Sequence, residues 1–214
     1  YIDELVARPM AERRVVFERA SSVPARTGEV KRTGTLRLDE AARAEIPVLH
    51  ATLGTTKNGT HANNLVALDA AFWRVVGLYL AEGHTHIGER NTTRIQWSFH
   101  PTREQHLVDE VAAFWLRHNV RAKTWDKSTS RVVEVRSRLL GAWWTRILGL
   151  GRGSYEQRFP DLIWERPASD KWALLSGLWE GDGSWSLVNG GPSVILEMGT
   201  ISDELADGVM RLLA

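Results

Sequence analysis

The sequence predicts an α+β fold of two tandem units, each ordered helix, strand, strand, helix, strand, strand, helix, with the second unit incomplete. Three observations carry this. Residues 94–100 alternate cleanly, with Ile95, Trp97 and Phe99 on one face and Arg94, Gln96, Ser98 and His100 on the other, the period of a half-buried strand. Stretches of helical apolar spacing bracket the strands. A nine-residue segment at 75–83 returns at 175–183, so the unit repeats with an offset of 100 residues, which marks an internal duplication.

Residues 1–66 read as an irregular N-terminal arm. Within it, 2–20 has helical apolar spacing at Leu5, Val6, Val15, Val16 and Phe17, with Pro9 splitting the helix or delaying its start. Residues 21–64 are rich in Ser, Thr, Gly, Asn and Arg around one apolar island at 46–49, a composition that predicts few buried contacts. The first repeat, 67–168, begins where the patterning sharpens. Asp69 has the N-cap position of a helix through Phe72, Val75, Val76, Leu78 and Leu80 to Gly83. Two strands follow. Thr102 and Gln105 have capping-box spacing for a helix to about His118, with Leu107, Val111, Phe114 and Trp115 as its stripe. Residues 120–127 and 131–138 form the next strand pair, with Val133 and Val135 facing one way and Glu134, Arg136 and Arg138 the other. A helix over about 139–150 closes the unit.

The second repeat, 169–214, has a helix at 170–181, a hairpin over 184–200 turning at Asn189-Gly190-Gly191, and a helix from Asp203. Only 31 residues follow Gly183, so relative to the first repeat two strands and a helix are expected to be missing.

Composition excludes several classes of function. The 214 residues contain no Cys, which rules out disulfides, Cys-ligated zinc and a thiol nucleophile. No apolar run reaches the roughly 18–20 residues of a membrane helix, and no secretory signal opens the chain, so a cytoplasmic location is expected. All ten Trp lie at or after position 73. Most of them, including Trp73, Trp97, Trp115, Trp143 or Trp144, Trp172 and Trp179, fall on elements with apolar neighbours and read as core. Net charge is +1, from 27 Lys and Arg against 26 Asp and Glu, and is silent about where charge sits. Its distribution is uneven. Residues 117–158 hold ten basic and three acidic side chains, whereas 171–214 hold two basic and six acidic.

The repeated segment carries the chemistry. It reads Val75-Val76-Gly77-Leu78-Tyr79-Leu80-Ala81-Glu82-Gly83 and Leu175-Ser176-Gly177-Leu178-Trp179-Glu180-Gly181-Asp182-Gly183. Gly77 with Ala81, and Gly177 with Gly181, place small residues four apart on one helix face, where two backbones can approach closely. Gly inside a helix costs about 1 kcal/mol relative to Ala, so its presence in both helices implies a packing reason. An acid in the last turn faces the negative end of the helix dipole, costing ~0.3–1 kcal/mol. Close packing brings Glu82 and Asp182 side by side and calls for a cation between them. Hard oxygen donors favour Mg²⁺, and carboxylates with Mg²⁺ suit phosphodiester hydrolysis.

These nonapeptides resemble the LAGLIDADG motif of homing endonucleases. The run Phe159-Pro160-Asp161-Leu162-Ile163 ahead of the second motif is similar to the segment found there in intein-borne members, and the order of elements matches the family's αββαββα repeat. The resemblance spans about 67–214. It departs from the motif at Leu80 in position six and at Glu82, where position eight is usually Asp. It implies an antiparallel β-saddle astride double-stranded DNA, and a monomer with two pseudo-symmetric halves. It also implies Mg²⁺-dependent cleavage of a long non-palindromic target, with Glu82 and Asp182 as the metal-binding catalytic acids. Gln96 and Lys123 are candidates to orient water near the metal.

Arg94, Arg121, Lys123, Lys127, Arg136 and Arg138 form a candidate DNA-binding face, since Arg and Lys hold phosphates and Arg also reads guanine edges. Glu180 is a runner-up metal ligand, more in keeping with an outward position. His84 and His86 read as strand residues, and Gly149-x-Gly151-x-Gly153, with no Lys-Ser/Thr after it, as a flexible connection. Splicing is not expected of this chain, which has no Cys, begins with Tyr1 and ends with Ala214 without a His-Asn pair. Splicing halves attached in a longer protein remain compatible with the sequence. With half the saddle missing, binding is expected to be weak and double-strand cleavage absent. Two rival readings are a non-catalytic DNA-binding regulator on the same scaffold and a glycosidase using Glu82 and Asp182. The glycosidase needs a sugar cleft between acids roughly 5–9 Å apart rather than close-packed helices.

Overall fold

The computed structural model describes residues 5–10, 13–20, 27–56, 58–88, 92–188 and 190–214. The protein is α+β with antiparallel sheets throughout. The expected irregular arm is instead built. It contains β1 (Leu5–Arg8), α1 (Arg13–Ala20), α2 (Thr27–Thr33), β2 (Leu36–Arg37), α3 (Leu38–Arg43), β3 (Thr52–Thr55) and β4 (Asn58–Asn63). The strands form one sheet in the order β2-β1-β3-β4. The stretch read as helical from residue 2 therefore opens as a strand, with Val6 opposite Gly54. Strands of two to six residues are too short to show a period, and the arm's apolar cluster is assembled from distant positions. That cluster is Val16, Val30, Leu36, Ala41, Ala44 and Ile46. The arm is tied to the first repeat by Asn63 N–H donating to the His118 carbonyl at 3.0 Å.

The first repeat follows the expected order: α4 (Ala70–Glu82), β5 (Gly83–Ile87), β6 (Thr93–Phe99), α5 (Gln105–Arg117), β7 (Lys123–Asp126), β8 (Arg131–Arg136) and α6 (Arg138–Ala142), the last continued by a π-helical turn, Trp143–Ile147. Asp69 caps α4, accepting from the Phe72 N–H at 3.0 Å. The sheet order is β5-β6-β8-β7. Ile95, Trp97, Phe99, Val133 and Val135 are its buried face. Trp97, Trp115, Trp144 and Tyr79 meet above it edge to face or tilted, with Tyr79 5.8 Å from Trp97 and Trp144 5.6 Å from Trp115 between ring centroids, arrangements that add to simple burial. The glycine stretch is packed rather than loose, since the Gly151 carbonyl accepts from the Tyr79 hydroxyl at 2.9 Å.

Two local expectations fail here. The Thr102–Gln105 capping box does not form. Gln105 spends its amide on Asp109 at 2.8 Å, and Glu104 accepts from the His100 N–H. The strand read to 138 stops at Arg136, because Ser137 caps α6 by accepting from the Leu140 N–H at 3.2 Å.

The second repeat has a 3₁₀ turn (Asp161–Glu165), α7 (Ala168–Asp182), β9 (Gly183–Leu187), β10 (Val194–Met198) and α8 (Asp203–Leu213). The expected hairpin turn includes Asn189, which lies outside the described residues. The β9–β10 register repeats that of β5–β6: Gly183 faces Met198 as Gly83 faces Trp97. Among the described residues no third strand joins this pair. The face equivalent to that of Trp97 is consequently open, with Trp185 68% and Leu196 65% exposed. Trp172, expected in the core, is 65% exposed, because α7 turns Leu174, Leu175 and Leu178 inward instead. Trp185→Ser with Leu196→Ser should therefore leave the melting temperature within about 2 °C, since little buried area is lost. It should also reduce binding of an apolar dye, and a drop of several degrees would mean the hairpin is packed. Among the described residues, no helix is long and apolar enough to cross a membrane.

Candidate functional site

α4 and α7 lie side by side with their backbones in contact. A Cβ on Gly77 would sit 2.1 Å from the Leu174 carbonyl oxygen, and one on Gly177 2.2 Å from that of Arg74. A Cβ on Gly181 would come within 2.4 Å of the Ala81 Cβ. Gly77, Ala81, Gly177 and Gly181 thus all sit at the helix interface, as their spacing predicts. The contact runs to the C-terminal ends, where the Gly181 Cβ position is 3.2 Å from Glu82 Cγ. Glu82 and Asp182 are the last residues of their helices.

The electrostatics there are unfavourable to two bare charges. The Glu82 carboxyl is pushed up to about 7, first by burial, then by the charges of Asp182 and Glu104. Asp182 is open to solvent along one side, yet close packing raises it too. Among the described residues no group of three or more His, Asp or Glu side chains converges on one metal-sized point.

The interface is not symmetric. Position 74 is Arg and 174 is Leu, 76 is Val and 176 is Ser, 80 is Leu and 180 is Glu. One seam is therefore the fully buried set Leu174, Val76 and Leu80. The other is polar. Arg74 donates to Glu110 at 2.6 Å, to Ser176 at 2.7 Å and to Glu180, which also bonds His106 at 2.8 Å. Burial alone would raise the Glu180 carboxyl, but its bonds to Arg74 and His106 outweigh that and lower it. Glu180 is thus engaged by α4 and α5 and is not placed as a metal ligand. Arg74→Leu should lower stability by about 1–2 kcal/mol, less than a fully buried pair because the cluster is partly solvated. Adding Glu180→Leu and Glu110→Leu should recover part of the loss in urea unfolding. Strict additivity of the changes would rule out the coupling.

The face of the sheet away from the helices is ordered in rows, since directly opposed residues share a face. One row across four strands is His84, Gln96, Glu134 and Lys123; the next is His86, Arg94 and Arg136. Gln96 is buried and its amide donates to Glu134 at 2.7 Å, while Arg136 also donates to Glu134, itself buried. Gln96, a candidate to orient water, is thus engaged with Glu134. Arg94, Lys123 and Arg136 lie on this face. Arg121 precedes β7 and Lys127 follows it, its N–H closing the turn onto Ser130 at 2.7 Å. Arg138 starts α6 and leaves the sheet. Arg121, Lys123 and Lys127, expected together on a strand over 120–127, are thus separated, because β7 spans only four residues and the Asp126–Arg131 ion pair, at 2.6 Å, pins its end. Sequence reasoning missed Arg74 and Glu134. Only the helix crossing and the strand register reveal their partners.

Residues 169–214 match the family model described as a LAGLIDADG-like domain. The match falls on the second repeat. It comprises α7 with the second motif, the β9–β10 hairpin and α8. An uncharacterized protein of Methanocaldococcus jannaschii is 24% identical over 200 residues, covering 86% of this chain and 22% of its own length. The chain thus spans about a fifth of that relative. Among solved structures, the homing endonuclease I-DmoI in complex with DNA and manganese is similar at 15% identity and a TM-score of 0.42, over 55% of this chain and 64% of that one. A Gly-to-Ser variant of I-DmoI with its target DNA and magnesium gives the same identity, coverage and TM-score.

Proposed function

We propose that the protein is a LAGLIDADG-type endodeoxyribonuclease that hydrolyses phosphodiester bonds with Mg²⁺, one acid per repeat. The observation that carries this is the pair Glu82 and Asp182 at the joined ends of two helices whose glycines exist to let them touch. The raised Glu82 carboxyl fits the site to a cation, because a divalent ion would relieve the repulsion that burial intensifies. Two carboxylates leave coordination places for water and phosphate oxygens, the usual arrangement for Mg²⁺. When bound, the ion supplies charge stabilisation to the attacking and leaving oxygens.

The chain's own residues do the rest. Glu82 and Asp182 hold the ion, and Arg94, Lys123 and Arg136 hold the DNA backbone across the sheet face. Arg121, Lys127 and Arg138 are left to contacts outside that face. Water adds to phosphorus, one P–O ester bond breaks, and the leaving oxygen ends as a hydroxyl. In this reading residues 1–66 are an extension, and 67–168 and 169–214 are the two pseudo-symmetric halves of a monomer. The target is a long non-palindromic duplex and the chain is the endonuclease part of an intein, with splicing halves in the longer protein.

A second reading, a non-catalytic DNA-binding regulator, is favoured by one observation: among the described residues the second half has a two-stranded sheet where the first has four strands. The test is nicking or cleavage of the intein-less host allele on a plasmid in Mg²⁺. Loss of activity in Glu82→Gln and Asp182→Asn, with salt-sensitive binding retained, supports the nuclease. Binding by the native chain with no cut in either strand supports the regulator.

A further inference from the structure

The segment that joins the two repeats is wedged against the acid-bearing end of α4. Tyr79 donates its hydroxyl to the Gly151 carbonyl at 2.9 Å, and the Thr85 N–H donates to the Arg152 carbonyl at 2.7 Å. Farther along, Gln157 is buried. Its amide nitrogen lies 3.2 Å from the Tyr79 carbonyl oxygen and 3.1 Å from that of Gly83. Both oxygens can only accept, so the nitrogen and not the oxygen of the amide faces them, and each of its two hydrogens has one acceptor. The Tyr79 oxygen already accepts from the Gly83 N–H that closes α4, so Gln157 adds a second bond there. The Gln157 carbonyl is fixed in turn. It accepts from the Ser202 hydroxyl at 2.6 Å, and that hydroxyl accepts from the Leu205 N–H at 3.2 Å as the N-cap of α8.

We infer that Gln157 is a positioning residue for Glu82: its amide clamps the peptides before and after the acid, and so fixes the direction from which the carboxyl enters the space beside Asp182. This rests on the nuclease reading above. Glu82 lies between the two clamped carbonyls, three residues after Tyr79 and one before Gly83. The chain has no slack there. A Cβ on Gly83 would lie 2.4 Å from the Tyr79 carbonyl oxygen and 2.3 Å from its ring, so helix passes into strand at a tight fold that a small rotation of either peptide would open. Packing alone does not call for an amide at 157, since a buried apolar side chain fills space without needing partners. An amide whose two hydrogens both go to the ends of one turn holds that turn in one direction. The clamp also ties the halves together, because α8 of the second repeat holds Gln157 through Ser202.

The test uses the full chain and two measurements, one of which needs neither metal nor DNA. In Gln157→Met, which keeps the length of the side chain and removes both donors, hydrogen exchange of the Gly83 amide should quicken about tenfold. The Gly183 amide, its counterpart at the end of α7, should exchange at the native rate. Nicking of the plasmid substrate in saturating Mg²⁺ should fall roughly 10–100-fold, the usual cost of losing a group that orients a metal ligand, with DNA affinity unchanged. Gln157→Asn, one methylene too short to reach both carbonyls, should show smaller changes of the same kind, and serves where the methionine variant does not fold. Gly83 exchange at the native rate, weaker DNA binding that accounts for the whole loss, or nicking at the native rate while Glu82→Gln is dead each overturns this inference and leaves the nuclease reading standing. Glu82→Gln nicking at the native rate, or no nicking by the native chain, overturns both.

Discussion

Gly77→Ala is expected to destabilise the protein by about 2–3 kcal/mol, although alanine is the better helix former. The two effects have opposite signs, and magnitude decides between them. Replacing a mid-helix glycine gains at most about 1 kcal/mol of propensity. The new Cβ would meet the Leu174 carbonyl oxygen at 2.1 Å and the Leu178 nitrogen at 2.7 Å. Both are backbone atoms, so no rotamer change relieves the contact and the helices must move apart. Overpacking of this kind costs typically 1–3 kcal/mol and more where backbone must shift. Separation also strips burial from Leu174, Leu178 and Val76 and pulls Glu82 from Asp182. Gly177→Ala, whose Cβ would sit 2.2 Å from the Arg74 carbonyl oxygen, should behave alike. Gly28→Ala is the control: it lies in α2 with open space around its Cβ position, and should raise stability slightly. Urea unfolding of the three variants measures this. A Gly77→Ala chain as stable as Gly28→Ala would show that the helices do not touch.

Glu82→Gln should abolish cleavage and, above neutral pH, make the protein more stable. The carboxyl is raised from 4.5 to about 7 in the folded state. Between those values the folded chain holds a proton that the unfolded chain has released. Stability therefore falls as pH rises across that window, and the full penalty is present above pH 7. Taken at face value the shift is worth about 3 kcal/mol; partial exposure of the group reduces this to roughly 1–2 kcal/mol. Thermal melts at pH 4 and pH 8 should show the glutamine variant matching the native chain at the lower value and exceeding it at the higher. Millimolar Mg²⁺ should raise the native melting temperature at pH 8 and leave that of the variant unchanged. Equal stabilities at pH 8 without metal would show that Glu82 is not strained by its neighbours. Such a gain on removing a functional acid is the usual trade between activity and stability.

The features legible in the sequence share one property: each is encoded locally. Asp69 before Phe72, the alternation at 94–100, and Gly77 with Ala81 against Gly177 with Gly181 are patterns within a turn or two of chain. They led to the motif helices, the central strand and the two acids. What was misread depends on distant partners. The arm became a four-stranded sheet because β1 pairs with residues nearly fifty positions away. The partner of Gln96 is not legible because Glu134 is its neighbour only in register, and Arg138 has the spacing of a strand residue although Ser137 ends the strand by capping a helix.

The sequence alone decides that two motif helices carry small residues on one face and an acid at one end, since that is written in each helix's own period. It decides too that basic residues gather between 117 and 158. Only the tertiary structure decides that Arg74 and Glu180 make one seam of the helix pair polar while Leu174 and Leu80 keep the other apolar. It alone decides that three of six basic candidates share the sheet face, and that Gln96 donates to a buried carboxylate, Glu134. The reason is physical: a hydrogen bond or an ion pair is a relation between two groups, and strand register and helix crossing, not chain order, determine which groups meet.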